Sequence, residues 1–253
     1  MNDEANTRLR GISVLVTRPQ GREQGLLNLI RSSGGQAHHL PCLAIESIAP
    51  SERATTRSAY DWLIFISVNA VKHFGARERW PEGRIAAIGA STANAIAETG
   101  SGPHLLPESG YTSENMLATP DMLAVAGQNI LIIRGEGGRE TLADTLRSRG
   151  ANIEHAEVYR RVVPDLDPTP ITLDWLRAGE PILTVSSGEA LDNFMSMIDE
   201  QTRARLNDVT LIAPSERVAA QARTLADFAA VHAASDATDK AVFETIVQVI
   251  PLS

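Results

Sequence analysis

Hydroxyl and amide side chains recur at one kind of place in this sequence, directly after a short apolar run. Thr17 follows Ser13-Val14-Leu15-Val16, Ser67 and Asn69 follow Trp62–Ile66, and Ser91 and Thr92 follow Ile85–Ile88. Ser186 and Ser187 follow Ile182–Val185, Ser215 follows Thr210–Ala213, and Thr112, Ser113 and Thr238 belong to the same set. Side chains of these types cap helices, because their oxygens accept the free N–H groups of a first turn. A helix start also holds anions, since its unsatisfied N–H groups carry about half a positive charge. Several such starts facing one cleft would grip a polyanion without a basic surface. Two arginines stand at the same kind of place, Arg18 after the first run and Arg134 after Ile130–Ile133. Gly135-Glu136-Gly137-Gly138 beside Arg134 would let a ligand approach the backbone. Residue type alone leaves capping and anion recognition both open.

Other chemistries lack their patterns. The chain has 253 residues and a net charge of −8, which argues against a nucleic-acid binder that works by neutralising phosphates. No Gly-Lys-Ser/Thr occurs, and G-x-G-x-x-G read from Gly135 fails at Glu140. The six histidines show no metal-ligand spacing, and no G-x-S-x-G is present, so no metal is expected. The single cysteine, Cys42, permits no intrachain disulfide and reads as a small buried apolar residue. Met1-Asn2-Asp3-Glu4 lacks the basic start of a signal peptide, and the longest apolar runs are far too short to span a bilayer. The expectation is a cytoplasmic globular protein with no membrane partner.

The elements that would position these residues alternate strand and helix. Amphipathic stretches at about 20–33, 69–74, 91–98 and 139–149 each follow an apolar run, which predicts parallel sheets covered on both faces. The pattern repeats internally. Phe65-Ile66-Ser67 with Phe74 matches Val185-Ser186-Ser187 with Phe194, 120 residues on (187 − 67). Ile88-Gly89-Ala90-Ser91 matches Ile212-Ala213-Pro214-Ser215. A second pairing breaks the order, because Gln20-Gly21-Arg22-Glu23 matches Gly137-Gly138-Arg139-Glu140. The start of the chain therefore resembles the end of the middle unit. One domain is then continuous, 49–156, and the other is split between 1–38 and 164–253. The expected strands lie near 14, 37, 183, 211 and 231 in the split domain, and near 64, 86, 105, 131 and 154 in the other. The crossings, 39–48 and 157–163, suit a two-stranded β connector. The fold class is α/β, with two similar flavodoxin-like domains that each hold a parallel sheet. Tyr159 falls at the second crossing, where it would either reach a cleft or simply pack. Met1–Arg8 is expected to fray.

Several of these segments resemble the uroporphyrinogen-III synthase family. They are Val16-Thr17-Arg18-Pro19, Phe65-Ile66-Ser67-Val68-Asn69-Ala70-Val71, Ile88-Gly89-Ala90-Ser91-Thr92-Ala93, Leu131-Ile132-Ile133-Arg134-Gly135 and Val158-Tyr159-Arg160-Arg161. The resemblance implies two α/β domains with the active site between them and a reaction without a metal or organic cofactor. The substrate would be the linear tetrapyrrole hydroxymethylbilane, with eight carboxylates. It would lose its terminal hydroxyl as water and close to a macrocycle with ring D inverted; without enzyme the same bilane closes uninverted. Tyr159 matches the family's tyrosine proposed as the acid. Thr17, Arg18, Ser67, Asn69, Gly89, Ser91, Thr92, Arg134, Gly135, Ser186, Ser187 and Ser215 become the expected substrate-binding residues. At Ser215 the sequence departs from the family, since Glu216 would repel a carboxylate. A monomer that receives its substrate from the preceding pathway enzyme is expected. The rival readings are a non-catalytic two-domain binder of a small polycarboxylate and an interaction module built on the doubled unit.

Overall fold

The structure, a computed structural model, describes residues 8–48, 57–75, 80–108 and 110–250. Of the end expected to fray, residues 1–7 lie outside the described part. The strands are β1 (Ile12–Val16), β2 (Gln36–His39), β3 (Ala44–Ser47), β4 (Ala59–Phe65), β5 (Glu82–Ala87), β6 (Asn129–Gly135), β7 (Asn152–Val162), β8 (Glu180–Thr184), β9 (Thr210–Ala213) and β10 (Ala230–Ala233). The helices are α1 (Gln24–Ser32), α2 (Val68–Phe74), α3 (Ala90–Ala97), α4 (Ser113–Leu117), α5 (Pro120–Leu123), α6 (Thr141–Ser148), α7 (Thr169–Arg177), α8 (Gly188–Met197), α9 (Glu200–Arg203), α10 (Glu216–Leu225) and α11 (Asp239–Val249).

The chain forms two compact units, Met1–Ala44 with Val162–Ser253, and Ile45–Arg161. In the split unit the strand order is β2-β1-β8-β9-β10, and in the continuous unit it is β3-β7-β6-β4-β5. The pairs β1–β2, β1–β8, β8–β9 and β9–β10, and likewise β4–β5, β4–β6 and β6–β7, are parallel. The split unit thus has the flavodoxin-like order 2-1-3-4-5. The continuous unit has the same order with its chain permuted: β7-β6-β4-β5 stands for β2-β1-β8-β9, and an isolated bridge from Ala86 to Leu105 stands for β10. This is the arrangement that the two sequence pairings require of a doubled unit.

Alternation along each strand feeds two cores. Leu63, Phe65, Leu131 and Ile133 meet Val71, Phe74 and Ile96 from α2 and α3 on one face of the continuous sheet. Trp62, Ile64, Ile130 and Ile132 meet Met116, Leu142 and Leu146 from α4 and α6 on the other. In the split unit Leu15, Leu183 and Leu211 face Trp175 and Phe194, while Val14, Val16 and Ile182 face Leu26, Ile30 and Ile246. Strands buried on both faces read as continuous apolar runs, which is why they were visible in the sequence.

Three expectations change. The strand expected near 105 reduces to one bridge, because Pro103 and Pro107 remove the donors a longer ladder needs. The fifth strand beside β7 is instead β3, from the first crossing. The helix expected from residue 20 starts at Gln24, since Gly21 at φ 83° takes the chain through a turn first.

Candidate active site

The hydroxyls at the strand ends are first of all caps. At Ser67 the backbone is extended (φ −161°, ψ 162°), and Oγ accepts the Ala70 N–H at 3.1 Å. Ser187 repeats this in the split unit at φ −166°, ψ 169°, accepting the Ala190 N–H at 3.1 Å. Thr112 caps α4 through the Asn115 N–H and Thr238 caps α11 through the Ala241 N–H. Ser215 sits at the N-cap of α10 without a side-chain cap bond, beside the Glu216–Arg223 ion pair.

Tyr159 is 5% exposed and belongs to the core on the α2 side of the continuous sheet. Its hydroxyl lies 3.2 Å from Ser67 Oγ, and its ring centroid is 5.8 Å from that of His73. A bulge puts it there: Arg134 pairs with Glu157, but the next residue, Gly135, pairs with Tyr159. Bulges re-aim side chains in this way. Gly135 makes room for the ring, since a Cβ on it would lie 2.5 Å from Tyr159 Cε2 and 2.6 Å from Cζ. The glycine read as a ligand approach is thus already filled by the tyrosine.

Arg134 is 4% exposed, and its guanidinium is spent inside its own loop. It donates to Gly138 O at 2.6 Å, to Glu140 Oε1 at 2.7 Å and to Gly135 O at 3.3 Å, with Glu157 at 3.6 Å. The fork holds the 135–140 turn that starts α6. Next to this turn a cavity of about 580 Å³ opens beyond β4, β5 and β6, near the point where the strand order reverses. Ile66, Ile88 and Ile132 line it along with the starts of α4 and α6, and Tyr111, Arg139, His155 and Arg161 are the charged or titratable groups besides Arg134 and Glu114.

The remaining expected residues divide by exposure. Asn69 and Gly89 are half-buried and Ser91 is exposed, at the starts of α2 and α3, whereas Thr92 is turned into the core. In the split unit Ser186 and Ser187 are half-buried at the start of α8. Thr17 is fully buried and donates to Thr184 O at 2.9 Å. Arg18 donates to Ala237 O at 2.9 Å and forms an ion pair with Asp239, whose carboxylate lies against Gly25 in the first turn of α1. Asp239 follows the cap Thr238 as Ser113 follows the cap Thr112. The protein's own carboxylate therefore occupies in the split unit the place that borders the cavity in the continuous one.

The family model described as HEM4, Uroporphyrinogen-III synthase HemD, matches residues 24–244. The chain belongs to the uroporphyrinogen-III synthase family. A uroporphyrinogen-III synthase from Salmonella typhimurium is 33% identical over 227 residues, 85% of this chain and 92% of the relative. One from Escherichia coli K12 is 32% identical over 227 residues with the same coverage, 85% and 92%. Among solved structures, uroporphyrinogen-III synthetase from Helicobacter pylori superimposes with a TM-score of 0.61 at 15% identity, covering 96% of this chain and 100% of that one. A mutant uroporphyrinogen III synthase from Thermus thermophilus gives 0.55 at 18%, covering 94% and 98%. At such identities these structures speak for the fold. The family is one of tetrapyrrole-pathway enzymes. Among the described residues no helix is long and apolar enough to cross a membrane, and no cluster of His, Cys, Asp and Glu converges to hold a metal ion.

For this synthase-family chain the cavity residues Tyr111, Arg139, Thr141, His155 and Arg161 were not singled out in the sequence. They reach one space only through the packing of α4 on α6 and the pairing of β7, which carries His155 and Arg161, with β6. Thr112 carried a signal, since it belongs with Thr238 to the hydroxyl set that the sequence shows. Cys42 is fully buried, and burial pushes its thiol up to about 12.

His155 and Glu140 predict a pH dependence. Burial, followed by the Arg134 charge, lowers the His155 pKa, and its Nε2 lies 3.2 Å from an Arg147 nitrogen. The hydrogen bond from Arg134 lowers that of Glu140. Both groups bind protons less readily folded than unfolded, so stability rises with pH. The His155 part is complete above its unfolded value, near 6.5, and is lost as pH falls through the lower folded one; the Glu140 part follows at more acidic pH. We expect Tm to fall as pH is lowered below about 6.5, and His155→Gln to flatten the first part of that fall. An unchanged slope in differential scanning fluorimetry would refute the assignment.

Proposed function

We propose that this chain is a hydro-lyase that converts hydroxymethylbilane to uroporphyrinogen III, with Tyr159 as the proton donor. The observation that carries this reading is a buried phenol, clamped by Gly135 and Ser67, at the carboxyl edge of a sheet that also opens a cation-lined cavity. Family membership and the names of the relatives support this reading. In our reading Tyr159 gives its proton to the departing hydroxyl of the bilane, ring D attacks the resulting electrophile through its substituted carbon, and the spiro product fragments and recloses inverted. Because the bilane also closes unaided, the protein's main task is geometric bias by many positioned donors.

The carboxylates are held by Ser67, Asn69, Gly89 and Ser91 with the cavity's Arg139 and Arg161, and by Ser186, Ser187 and Ser215 on the other unit. Asp239 against α1 supports this assignment as an internal carboxylate at an equivalent helix start. Thr17, Thr92, Arg18, Arg134 and Gly135 serve the substrate through the shape they enforce. The domains are 1–38 with 164–253, and 49–156, joined by 39–48 and 157–163 as a ribbon. The protein works in the cytoplasm on bilane handed over by the preceding enzyme.

The test is to supply enzymatically generated hydroxymethylbilane, oxidise the products and separate the isomers. Excess type III is expected, and type I alone would overturn catalysis in favour of a binder. Tyr159→Phe should lower the rate of type III formation about 10²-fold, within the range of general-acid catalysis. A variant with unchanged turnover and isomer ratio would remove Tyr159 from the acid role.

A further inference from the structure

We infer that Ser67 is a positioning residue for the reaction: its hydroxyl aims the Tyr159 phenol and takes up the charge left on the phenol oxygen after proton transfer. The inference rests on the synthase reading above and moves the single O–H of Ser67, which that reading gives to a carboxylate, onto the phenol. It begins from hydrogen-bond counting. A serine hydroxyl offers one O–H and two lone pairs. The Ala70 N–H occupies one lone pair of Ser67, and Tyr159 Oη stands 3.2 Å away on the same oxygen. The Ser67 proton is thus free to point at the phenol.

The internal repeat shows that the cap alone needs no tyrosine. Ser187 caps α8 with dihedral angles within 7° of those of Ser67 and the same 3.1 Å bond to a backbone N–H. The registers Ser13↔Gln36 and Asn129↔Asn152 carry β2 onto β7 at a shift of 116 (152 − 36), which the one-residue bulge before Tyr159 raises to 117, so Cys42, packed with Ala190 and Phe194 as Tyr159 is with Ala70 and Phe74, stands in the place of Tyr159. Neither Cys42 nor the adjoining Leu43 carries a hydroxyl. Two equal caps, one with a phenol and one without, separate the helix-start role from whatever the pair adds.

What it adds follows from charge. With the phenol protonated, the Ser67 O–H points at Oη and leaves the phenol proton to point at the substrate. That proton then passes to the bilane's hydroxyl, which departs as water with the C–O electron pair. The phenolate now accepts the Ser67 O–H in a charge-assisted bond, stronger than the neutral one it replaces. The proton shed on final ring closure returns to Oη, so the net change is loss of one water. Ser67 interacts more strongly with the charged oxygen than with the neutral one, which is the condition for raising kcat.

The experiment is a double-mutant cycle on the full chain with hydroxymethylbilane. Ser67→Ala should lower kcat for type III about tenfold at nearly constant KM, the worth of one hydrogen bond to a charged group. Ser67→Thr, which keeps the hydroxyl and the cap, should restore most of it. In a Tyr159→Phe background Ser67→Ala should lower kcat no further, whereas Ser187→Ala should act independently of Tyr159. Ser67→Ala and Ser187→Ala should lower Tm alike, by about 2–4 °C for a lost cap. If the Ser67 and Tyr159 losses multiply, or if Ser67→Thr behaves as Ser67→Ala, the inference is overturned while the synthase reading stands. A wild-type protein that yields only type I sinks the synthase reading itself.

Discussion

Replacing Arg134 with alanine is expected to destabilise the continuous unit by about 3 kcal/mol, more than the loss of an ordinary exposed arginine. The guanidinium is nearly inaccessible and donates to Gly138 O, Gly135 O and Glu140. Its removal strips partners from the two backbone oxygens and leaves Glu140 without its nearest cation. Glu140 is half exposed, so its share is modest, and the two carbonyls, Gly135 buried and Gly138 half-buried, carry most of the cost. Lysine should not rescue, because a single ammonium cannot reproduce a planar fork across three acceptors. Chemical denaturation with urea reads the effect directly. A variant of unchanged stability that only raises KM for the bilane would restore Arg134 to the ligand-facing role its position in the sequence suggests.

Gly135→Ala should do damage of a different kind. The added methyl would sit 2.5 Å from Cε2, 2.6 Å from Cζ and 3.0 Å from the hydroxyl of Tyr159. The ring is held by the surrounding core and by Ser67, so it cannot yield cheaply. Overpacking of this sort costs about 1–3 kcal/mol. We also expect turnover to fall by about 10²-fold or more, the full contribution of the displaced acid. The control is a smaller side chain in place of the ring. In a Tyr159→Leu background, Gly135→Ala should cost far less stability than in the wild type. Equal costs in both backgrounds, measured by thermal melts, would refute the steric account.

These two residues mark the boundary of what was legible in the sequence. Strands such as Ile130–Ile133 and helix starts such as Ser67 announce themselves, because their causes are local: an apolar run buried on both faces, and an oxygen three residues before an unsatisfied N–H. The permuted repeat was legible too, since Glu23 and Glu140, paired in the sequence, are the N-caps of α1 and α6. The roles of Arg134 and Gly135 were hidden because their causes are remote. A bulge between them brings up Tyr159 from another strand. Nothing in either segment announces that offset. The cavity was hidden for the same reason, as it exists only where α4 and α6 start side by side. The bridge at Leu105 fell short of a strand because prolines on both sides outweigh the apolar pair between them.

The permuted layout also sets an order of events on the ribosome. β1 is buried along its whole length and lies between β2 and β8, yet residues 180–184 are made long after it. At about 5–20 residues per second the gap lasts on the order of ten seconds or more. For that time the nascent chain carries an apolar strand whose second neighbour does not exist, and the whole of the inserted unit is made within it. Synthesis that slows inside 45–161 should therefore lengthen the exposure of β1 to chaperones and to other nascent chains.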